Sequence, residues 1–185
     1  DELVAIGGTQ ILFQGGVHPK LKIDFYEDLV GHIHEKYPQI TIHAFSAIEI
    51  DFIAKISKIS IKEVLERLKA KGLSSIPGAG AEILSDRVRD IIAPKKHDSS
   101  VWIEVHRQAH RLGIMSTATM MFGTVETDEE IIEHWDLVRQ LQDETGGFLS
   151  FIPLAYHPAN TELGEVGGTR SSGIEDLRTI AASRL

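Results

Sequence analysis

The chain has 185 residues, of which 42% are hydrophobic and 25% are charged, and its formal net charge at pH 7 is −8. This size and composition predict one globular domain, and the acidic balance excludes the basic face that a nucleic-acid partner requires. The absence of cysteine excludes a disulfide framework and a thiol nucleophile. No apolar segment approaches the roughly 20 residues of a bilayer span, and the N-terminus has no signal-peptide features. The sequence therefore predicts no membrane partner and a cytoplasmic location.

Short apolar runs alternate with amphipathic stretches along the whole chain. They recur every roughly 30 to 40 residues, which is the length of a βα unit. The runs predicted to be strands are Thr9–Phe13, Ile40–Phe45, Leu73–Ile76, Ile114–Met121 and Phe148–Leu154. The opening DELVAIGG reads as the last turn of a helix and the closing ASRL lies inside another helix, so we expect both termini to be cut from a larger barrel.

Helix boundaries carry their own signals. Capping boxes are predicted at Asp24–Glu27, Ser60–Glu63, Thr127–Glu130 and Ser172–Glu175. Glycines that end helices are predicted at Gly72, Gly113 and Gly146-Gly147. The stretch GEVGGTRSSG, residues 164–173, is predicted to be a flexible loop before the last helix.

Continuous apolar strands that alternate with helices indicate a parallel sheet covered by helices. Such a sheet is either open and doubly wound or closed as a (β/α) barrel, and periodicity alone does not separate the two. The ragged ends favour an α/β fold of the partial (β/α) TIM barrel type, with about five βα units over residues 1–185.

Polar residues and glycines follow the predicted strands, where parallel α/β folds bind their ligands. Glycines after a strand let a ligand approach the backbone, although a tight βα turn explains them equally well. The strand-end candidates are Gln14, Gly15, Gly16, Ser46, Glu49, Ser75, Glu82, Thr117, Thr119, Tyr156, His157 and Asn160.

The loop PGAGAE after the third strand resembles a dinucleotide fingerprint only in Gly78 and Gly80, because the third glycine position is Ile83. A carboxylate at Glu82 with guanidinium groups at Arg87 and Arg89 could hold the ammonium and carboxylate groups of an amino acid. A helix-start acid followed by two solvated arginines is the simpler interpretation of the spacing.

Four histidines invite a functional interpretation. His106 and His110 share one helical face and could bind zinc, but their helix lies outside the sheet, so a partly exposed pair is the preferred interpretation. His18 and His157 each stand beside a proline after a strand, where they could bind substrate or move a proton. Loop histidines without a function are about as common.

Four long stretches resemble a known family. They are IGGTQILFQGGVHP, SIPGAGAEIL, ATMMFGTVET and LQDETGGFLSFIPLAYHPANTEL. Together they resemble the radical S-adenosylmethionine enzymes of the menaquinone futalosine pathway, which are close relatives of the deazaflavin-forming FO synthase. The resemblance covers nearly the whole chain.

The resemblance implies roles for the strand-end residues. Gln14, Gly15 and Gly16 match the motif whose backbone oxygens bind the amino group of S-adenosylmethionine. Ser46 and Glu49 correspond to a second strand end near the nucleoside, and Glu82 with Arg87 matches a pair that holds the ribose and the methionine carboxylate. The resemblance places on the substrate side His18, Thr117, Thr119, His157 and Asn160.

The resemblance also implies two cofactors, S-adenosylmethionine and a 4Fe–4S cluster, together with an external electron donor and a small nucleoside substrate. The family binds its cluster through CxxxCxxC, because iron–sulfur clusters need thiolate ligands. This chain has no cysteine. We therefore expect the cluster ligands upstream of Asp1 and expect the chain alone to be inactive.

Two branches of the family remain open. IGGTQIL, QGG and IPGAGAEIL favour the branch that cyclises dehypoxanthine futalosine, whereas SAIE, EVHRQAHRLG and LAYHPANT point to the branch that forms aminofutalosine. The cyclising branch is preferred. The alternatives from other classes are a cysteine-free nucleoside-binding module and a TIM-barrel hydrolase or aldolase with a metal at His18 or His157.

Overall fold

A computed structural model describes residues 1–94, 98–165 and 171–185. The strands are β1 (Gln10–Phe13), β2 (Thr41–Ala44), β3 (Leu73–Ile76), β4 (Met115–Phe122) and β5 (Phe148–Ala155). The helices are α1 (Glu2–Ala5), α2 (Ile23–Lys36), α3 (Ala47–Ser57), α4 (Ile61–Ala70), α5 (Asp86–Ile92), α6 (Ser99–Arg111), α7 (Asp128–Thr145), α8 (Glu162–Glu165) and α9 (Gly173–Ala182). Within these ranges no helix is both long enough and apolar enough to cross a bilayer.

The strands form one parallel sheet in the order β1-β2-β3-β4-β5. The sheet curls into a half-barrel, which confirms the predicted partial (β/α) barrel. Each predicted strand lies within one or two residues of an observed one. All carboxyl ends meet at one edge because every neighbouring pair is parallel, and we call the residues that follow these ends the rim.

Helix starts agree with the sequence at three of four predicted positions. Thr127 and Ser172 form reciprocal capping boxes, and the Ser60 hydroxyl accepts a hydrogen bond from the Glu63 N–H. The box predicted at Asp24–Glu27 is wrong, because α2 begins at Ile23. Ile23 is buried in the core, and its N–H donates to the hydroxyl of Ser57 on α3 at 3.0 Å, so a tertiary contact sets this helix start.

Helix ends follow the predicted glycines. Gly146 ends α7 in the left-handed region, with a φ of 63°, and Gly72 and Gly113 follow α4 and α6 with positive φ angles. The predicted loop 164–173 overlaps the end of α8, and its residues 166–170 lie outside the described residues.

The two faces of the sheet differ in their surroundings. On β2, Ile42 and Ala44 are fully buried in the core beneath the helices, so His43 between them points to the concave face. On β4, Ser116 and Ala118 are fully buried toward the helices, whereas Thr117 points to the concave face. The core therefore lies between the sheet and its outer helices, and the concave face is the inner wall of the half-barrel.

His106 and His110 are buried, so the prediction of a partly exposed helix pair is wrong. His106 is completely buried, and His110 is 8% exposed. Their rings share the hydroxyl of Ser116 on β4, at 2.9 Å from His106 Nδ1 and 2.7 Å from His110 Nε2. Nδ1 of His110 also lies 2.7 Å from the hydroxyl of Thr145. These histidines join α6 and α7 to the sheet.

Burial disfavours the charged form of these rings. It lowers the pKa of His110 to about 4, and it lowers the pKa of His106 well below the ordinary value of 6.5, with the neighbouring His110 contributing. His134, which accepts the Leu84 N–H at Nδ1, has its pKa lowered to about 3, first by burial and then by the charge of Arg89. All three rings are neutral in the folded protein at pH 7.

Acid is therefore expected to unfold the protein through these histidines. Unfolding returns each pKa to about 6.5, so below that pH the unfolded state binds protons that the folded state does not. The free energy of unfolding should stay constant above pH 7 and should fall between pH 6.5 and 4, by up to about 1.4 kcal/mol per pH unit for each histidine. Urea unfolding followed by circular dichroism at pH 7.5, 6 and 5 measures this dependence. His110→Gln should reduce the slope, whereas His32→Gln on the exposed side of α2 should not.

Candidate active site

The carboxylate of Glu49 joins the ends of the first two strands. Its Oε1 accepts the N–H groups of Gly15 and Gly16 at 2.8 and 2.9 Å. Its Oε2 accepts the N–H and the hydroxyl of Ser46, both at 2.7 Å. Glu49 is 4% exposed, so this buried carboxylate replaces its hydration with four hydrogen bonds. Ser46 and Glu49 also form the capping box of α3.

In the glycine loop after β1, the Gly15 and Gly16 N–H groups are bound to Glu49, and the space beside the two Cα atoms is empty. A Cβ built on Gly15 or on Gly16 meets no atom within 4 Å, and Gly16 has a φ of 70°. The carbonyl oxygens of Gln14, Gly15 and Gly16 accept no hydrogen bond from the described part of the chain. The two glycines can therefore offer a ligand only their carbonyl acceptors, because Glu49 already uses their N–H groups.

Phe45 places Ser46 at the rim through an unusual backbone conformation. Its φ is 63°, which is rare for a bulky residue. The ring is buried and packs edge-on against Phe13 and Tyr26, with ring centroids 5.2 and 5.6 Å away. Burial, and secondarily the charge of Glu49, raise the pKa of the Tyr26 hydroxyl. The aromatic packing compensates for the strained turn that starts α3.

A second cluster fixes the loop after β3 against β4. The Gly78 N–H donates to the Thr117 hydroxyl at 2.9 Å, and the Gly78 carbonyl accepts from the Thr119 hydroxyl at 2.7 Å. The indole N–H of Trp102 on α6 donates to the same carbonyl at 3.1 Å. Thr117 and Thr119 thus position the PGAG loop from the concave face.

The two arginines of α5, which follows the PGAG loop, form separate contacts. Arg87 donates to the carboxylate of Glu130 through two nitrogens, and it also donates to the Val125 carbonyl at 2.9 Å. The hydrogen bonds from Arg87 lower the pKa of Glu130 to about 2. Arg89 is buried, and it donates to the carbonyls of Gly80 and Ala81. The simpler expectation of two solvated arginines is therefore wrong for Arg89, and Arg87 pairs with Glu130 rather than with Glu82.

Glu82 stands at the rim in a left-handed conformation, with a φ of 47°. Its carbonyl accepts the N–H of Met121 at 2.6 Å, so the loop is fastened to the end of β4. Burial lowers the pKa of Arg89, and the charges of Asp86, Glu82 and Asp98 oppose that shift. The carboxylate of Glu82 therefore belongs to the charged surroundings of Arg89.

The remaining rim candidates lie at the two outer strands. His18 follows β1, is exposed, and accepts the Lys20 N–H at Nδ1 at 3.3 Å. His157 and Asn160 follow β5 and are exposed, and Asn160 has a φ of 62°. Tyr156 is buried beside them and its hydroxyl binds Thr161. The rim therefore carries polar groups at both ends of the half-barrel.

The structure brings together two groups of predicted residues. Gly15 and Gly16 meet Ser46 at the carboxylate of Glu49, and Thr117 meets Thr119 at Gly78. The roles of all the candidate residues toward a ligand remain predictions. His43 was missed by the sequence reasoning, although its place between two apolar residues of a strand was a signal that it points away from the core. Among the described residues, no three His, Asp or Glu side chains are arranged to hold a metal ion.

The fold and the rim define a class of protein, namely a parallel (β/α) half-barrel with a glycine loop and polar groups at the carboxyl edge of its strands. Residues 1–138 match the radical SAM superfamily. The chain belongs to this superfamily, whose members use S-adenosylmethionine and a 4Fe–4S cluster, act on small molecules and require a reductant.

Curated relatives are similar over nearly all of the chain. Cyclic dehypoxanthine futalosine synthase of Streptomyces coelicolor is 46% identical over 184 residues, which are 100% of this chain and 46% of that protein. Aminodeoxyfutalosine synthase of Thermus thermophilus is 45% identical over 181 residues, which are 97% of this chain and 49% of that protein. The 5-amino-6-(D-ribitylamino)uracil--L-tyrosine 4-hydroxyphenyl transferase 1 of Methanosarcina acetivorans is 46% identical over 181 residues, which are 96% of this chain and 48% of that protein. The chain spans about half the length of these relatives.

The two cofactors of the superfamily fit this chain differently. Iron–sulfur clusters need thiolate ligands, and the 185 residues contain no cysteine, so these residues do not fit the cluster. S-adenosylmethionine carries an ammonium group, which needs hydrogen-bond acceptors. The open carbonyls of Gln14–Gly16 supply such acceptors beside two glycines that leave space for a ligand.

Substitution of Gly78 tests the loop clamp. A Cβ at this position would lie 2.6 Å from the Thr117 carbonyl oxygen and 2.7 Å from the Ala118 Cα, and backbone atoms cannot move away cheaply. Gly78→Ala should lower the free energy of unfolding by about 2–4 kcal/mol, as measured by urea denaturation. Gly15→Ala is the matched control, because its Cβ meets open space, and it should change stability by less than about 1 kcal/mol. Equal losses for both variants would contradict the clamp.

Substitution of Glu49 tests the bridge between the first two strand ends. All four partners of the carboxylate are donors, and an amide can accept through only one of its two atoms. Glu49→Gln should therefore cost about 2–4 kcal/mol of stability. Glu63→Gln is the control, since Glu63 occupies the same position in α4 but is exposed, and the substitution should cost less than about 0.5 kcal/mol. Unchanged hydrogen-exchange protection of the Gly15 and Gly16 amides in Glu49→Gln would contradict this role.

Proposed function

We propose that this chain is the barrel core of a radical S-adenosylmethionine enzyme of menaquinone biosynthesis that cyclises dehypoxanthine futalosine. The membership in the superfamily and the glycine loop at the end of β1 carry the proposal. The Streptomyces coelicolor relative supports the substrate, because the whole chain aligns with it. We also propose that the thiolate ligands of the cluster come from outside these 185 residues, since these contain no cysteine.

In this proposal the loop Gln14–Gly16 binds the amino group of S-adenosylmethionine through its carbonyl oxygens. Glu49 supports this site without contacting the ligand. It accepts both glycine N–H groups, so the carbonyl oxygens of the loop stay available to the ligand. Ser46 holds the Glu49 carboxylate in turn. Ser46 and Glu49 thus support the cofactor site through the backbone that they orient.

Glu82 and Arg87 are proposed for the ribose and the methionine carboxylate. Glu82 is held at the rim by its left-handed backbone. Arg87 is half exposed and bound to Glu130, so it needs to divide its donors between Glu130 and the ligand. Five donors on one guanidinium make such sharing feasible.

The substrate side is proposed to contain His18, Thr117, Thr119, His157 and Asn160. The two threonines act by fixing Gly78 on the inner wall. The exposed histidines and Asn160 offer polar groups at the outer strands. When bound, S-adenosylmethionine would supply the radical chemistry of the superfamily, and the residues of this chain would position it and the substrate and would exclude water from them.

A second candidate function is the formation of aminodeoxyfutalosine. The Thermus thermophilus relative is 45% identical and aligns with 97% of the chain, which is nearly as similar as the cyclase. The stretches SAIE and LAYHPANT support this branch in the sequence. The two functions differ in substrate and product, so one assay separates them.

The test is anaerobic assay of the full-length gene product that carries this chain, reconstituted with iron and sulfide and supplied with an external reductant. We expect formation of 5′-deoxyadenosine and of cyclic dehypoxanthine futalosine, both measured by chromatography and mass spectrometry. Aminodeoxyfutalosine as the product would favour the second candidate. No cleavage of S-adenosylmethionine with either substrate set would overturn the proposal.

A calorimetric titration tests the rival binding module. The 185-residue chain is titrated with S-adenosylmethionine in the absence of iron. A radical enzyme core should bind weakly, with a dissociation constant above about 100 μM, because the iron–sulfur cluster, for which this chain has no ligands, cannot contribute to binding. Micromolar binding without iron would instead support a module that binds the nucleoside without radical chemistry.

A further inference from the structure

Among the described residues, the inner wall of the half-barrel contains one histidine, His43, in a row with two apolar residues and a serine. Leu12, His43, Ser75 and Met115 are register partners on the first four strands and share the concave face. Leu12 is 58% exposed there, and Ile152 and Leu154 of β5 are also exposed. Around the imidazole of His43 this wall combines exposed apolar side chains with the hydroxyls of Ser75 and Thr117, and a pocket that orients an apolar ligand by a few polar contacts has such a composition.

The partner of His43 determines which nitrogen carries its proton. Nδ1 of His43 lies 2.7 Å from the hydroxyl of Ser75, and both residues are 7% exposed. Within the described residues the Ser75 hydroxyl has no other acceptor, and buried hydroxyls almost always donate to one. We therefore assign the hydroxyl as donor to Nδ1, which leaves the proton of the neutral ring on Nε2.

Nε2 of His43 is directed to the open side of this pair. It has no hydrogen-bond partner among the described residues. Nε2 of His106 and Nε2 of His134 also have none but are fully buried, whereas Nε2 of His43 is not. It is therefore accessible from the concave face. A ligand on this face meets one N–H donor that is fixed in orientation by Ser75.

We propose that His43, oriented by Ser75, binds the carboxylate of an aromatic acid whose ring lies on the apolar inner wall beside Leu12 and Met115. An anionic oxygen is the acceptor that gains most from a fixed donor in apolar surroundings. The inference rests on the proposed function in one respect, since the proposed substrate carries such a group in its benzoate ring. His43 would then determine which end of the substrate faces the wall.

The charge around His43 is consistent with this role. Burial lowers the pKa of His43, and no charged neighbour contributes to that shift. The ring is therefore neutral at pH 7, and among the described residues no carboxylate contributes to the shift or competes with a ligand. A bound carboxylate must raise the pKa of His43, because it favours the protonated ring.

The first experiment measures this shift in the wild-type protein by nuclear magnetic resonance of ¹⁵N-labelled histidine between pH 5 and 8. Saturating benzoate should raise the pKa of His43 by about one unit, whereas the uncharged benzamide should shift it by less than about 0.2. The resonances of His32, which is exposed on α2, should not respond to either compound. An unchanged pKa of His43 with benzoate would overturn the inference.

The second experiment compares variants of the full-length enzyme with dehypoxanthine futalosine. His43→Phe removes the donor but keeps an apolar ring, so KM should rise at least tenfold. His43→Gln places an amide N–H near the position of Nε2 and should recover most of that loss. Ser75→Ala should raise KM about threefold by loosening the ring, and His32→Gln should behave as wild type. Cleavage of S-adenosylmethionine without substrate should equal that of the wild type in His32→Gln, which lies outside the site.

The outcomes separate this inference from the proposed function. If the wild-type enzyme does not turn over dehypoxanthine futalosine but benzoate raises the pKa of His43, the substrate assignment fails and the aromatic-acid site stands. If the enzyme is active and His43→Phe leaves KM unchanged, the proposed function stands and the role of His43 is refuted.

Discussion

The structure of the rim depends on one buried carboxylate. Glu49 accepts four hydrogen bonds, two from the glycine loop after β1 and two from Ser46 at the start of α3. A carboxylate without these donors would be very costly to bury, so the loop and the helix start are tied to each other. The same contact decides which backbone groups of the loop a ligand meets, because it uses the N–H groups and leaves the carbonyls.

The site is built in layers around this contact. Phe45 turns the chain in a strained conformation, and its packing against Phe13 and Tyr26 keeps the turn in place. Many residues that face the rim thus serve to fix the backbone, which is how a scaffold holds a reactive ligand in one geometry.

The sequence predicts the strands well because each one is a short run rich in apolar residues between helices that carry their own start and stop signals. Leu73–Ile76 agrees with β3 at both ends. The start of α2 was mispredicted because Ile23 is held by Ser57, which lies 34 residues away in the chain. His106 and His110 were assigned to the surface for the same reason, since Ser116 and Thr145, which accommodate them, belong to other elements.

In the candidate site, too, the sequence predicts positions along the chain but not contacts between distant residues. Rim positions are predictable because parallel strands bring their carboxyl ends to one edge. The partner of each rim residue is not predictable, since Glu49 reaches the glycine loop across more than 30 residues and Arg87 reaches Glu130 across 43. His43 was overlooked because its function depends on which face of β2 is concave, and only the neighbouring strands decide that.

Trp102 gives the molecule a built-in optical probe. Its indole N–H is bonded to the carbonyl of Gly78, and it is one of only two tryptophans in the chain. Indole emission is sensitive to hydrogen bonding and to local polarity, so any ligand that displaces the PGAG loop will alter the colour or intensity of this residue's fluorescence. Rapid-mixing fluorimetry can therefore follow events at the rim in real time without an added label.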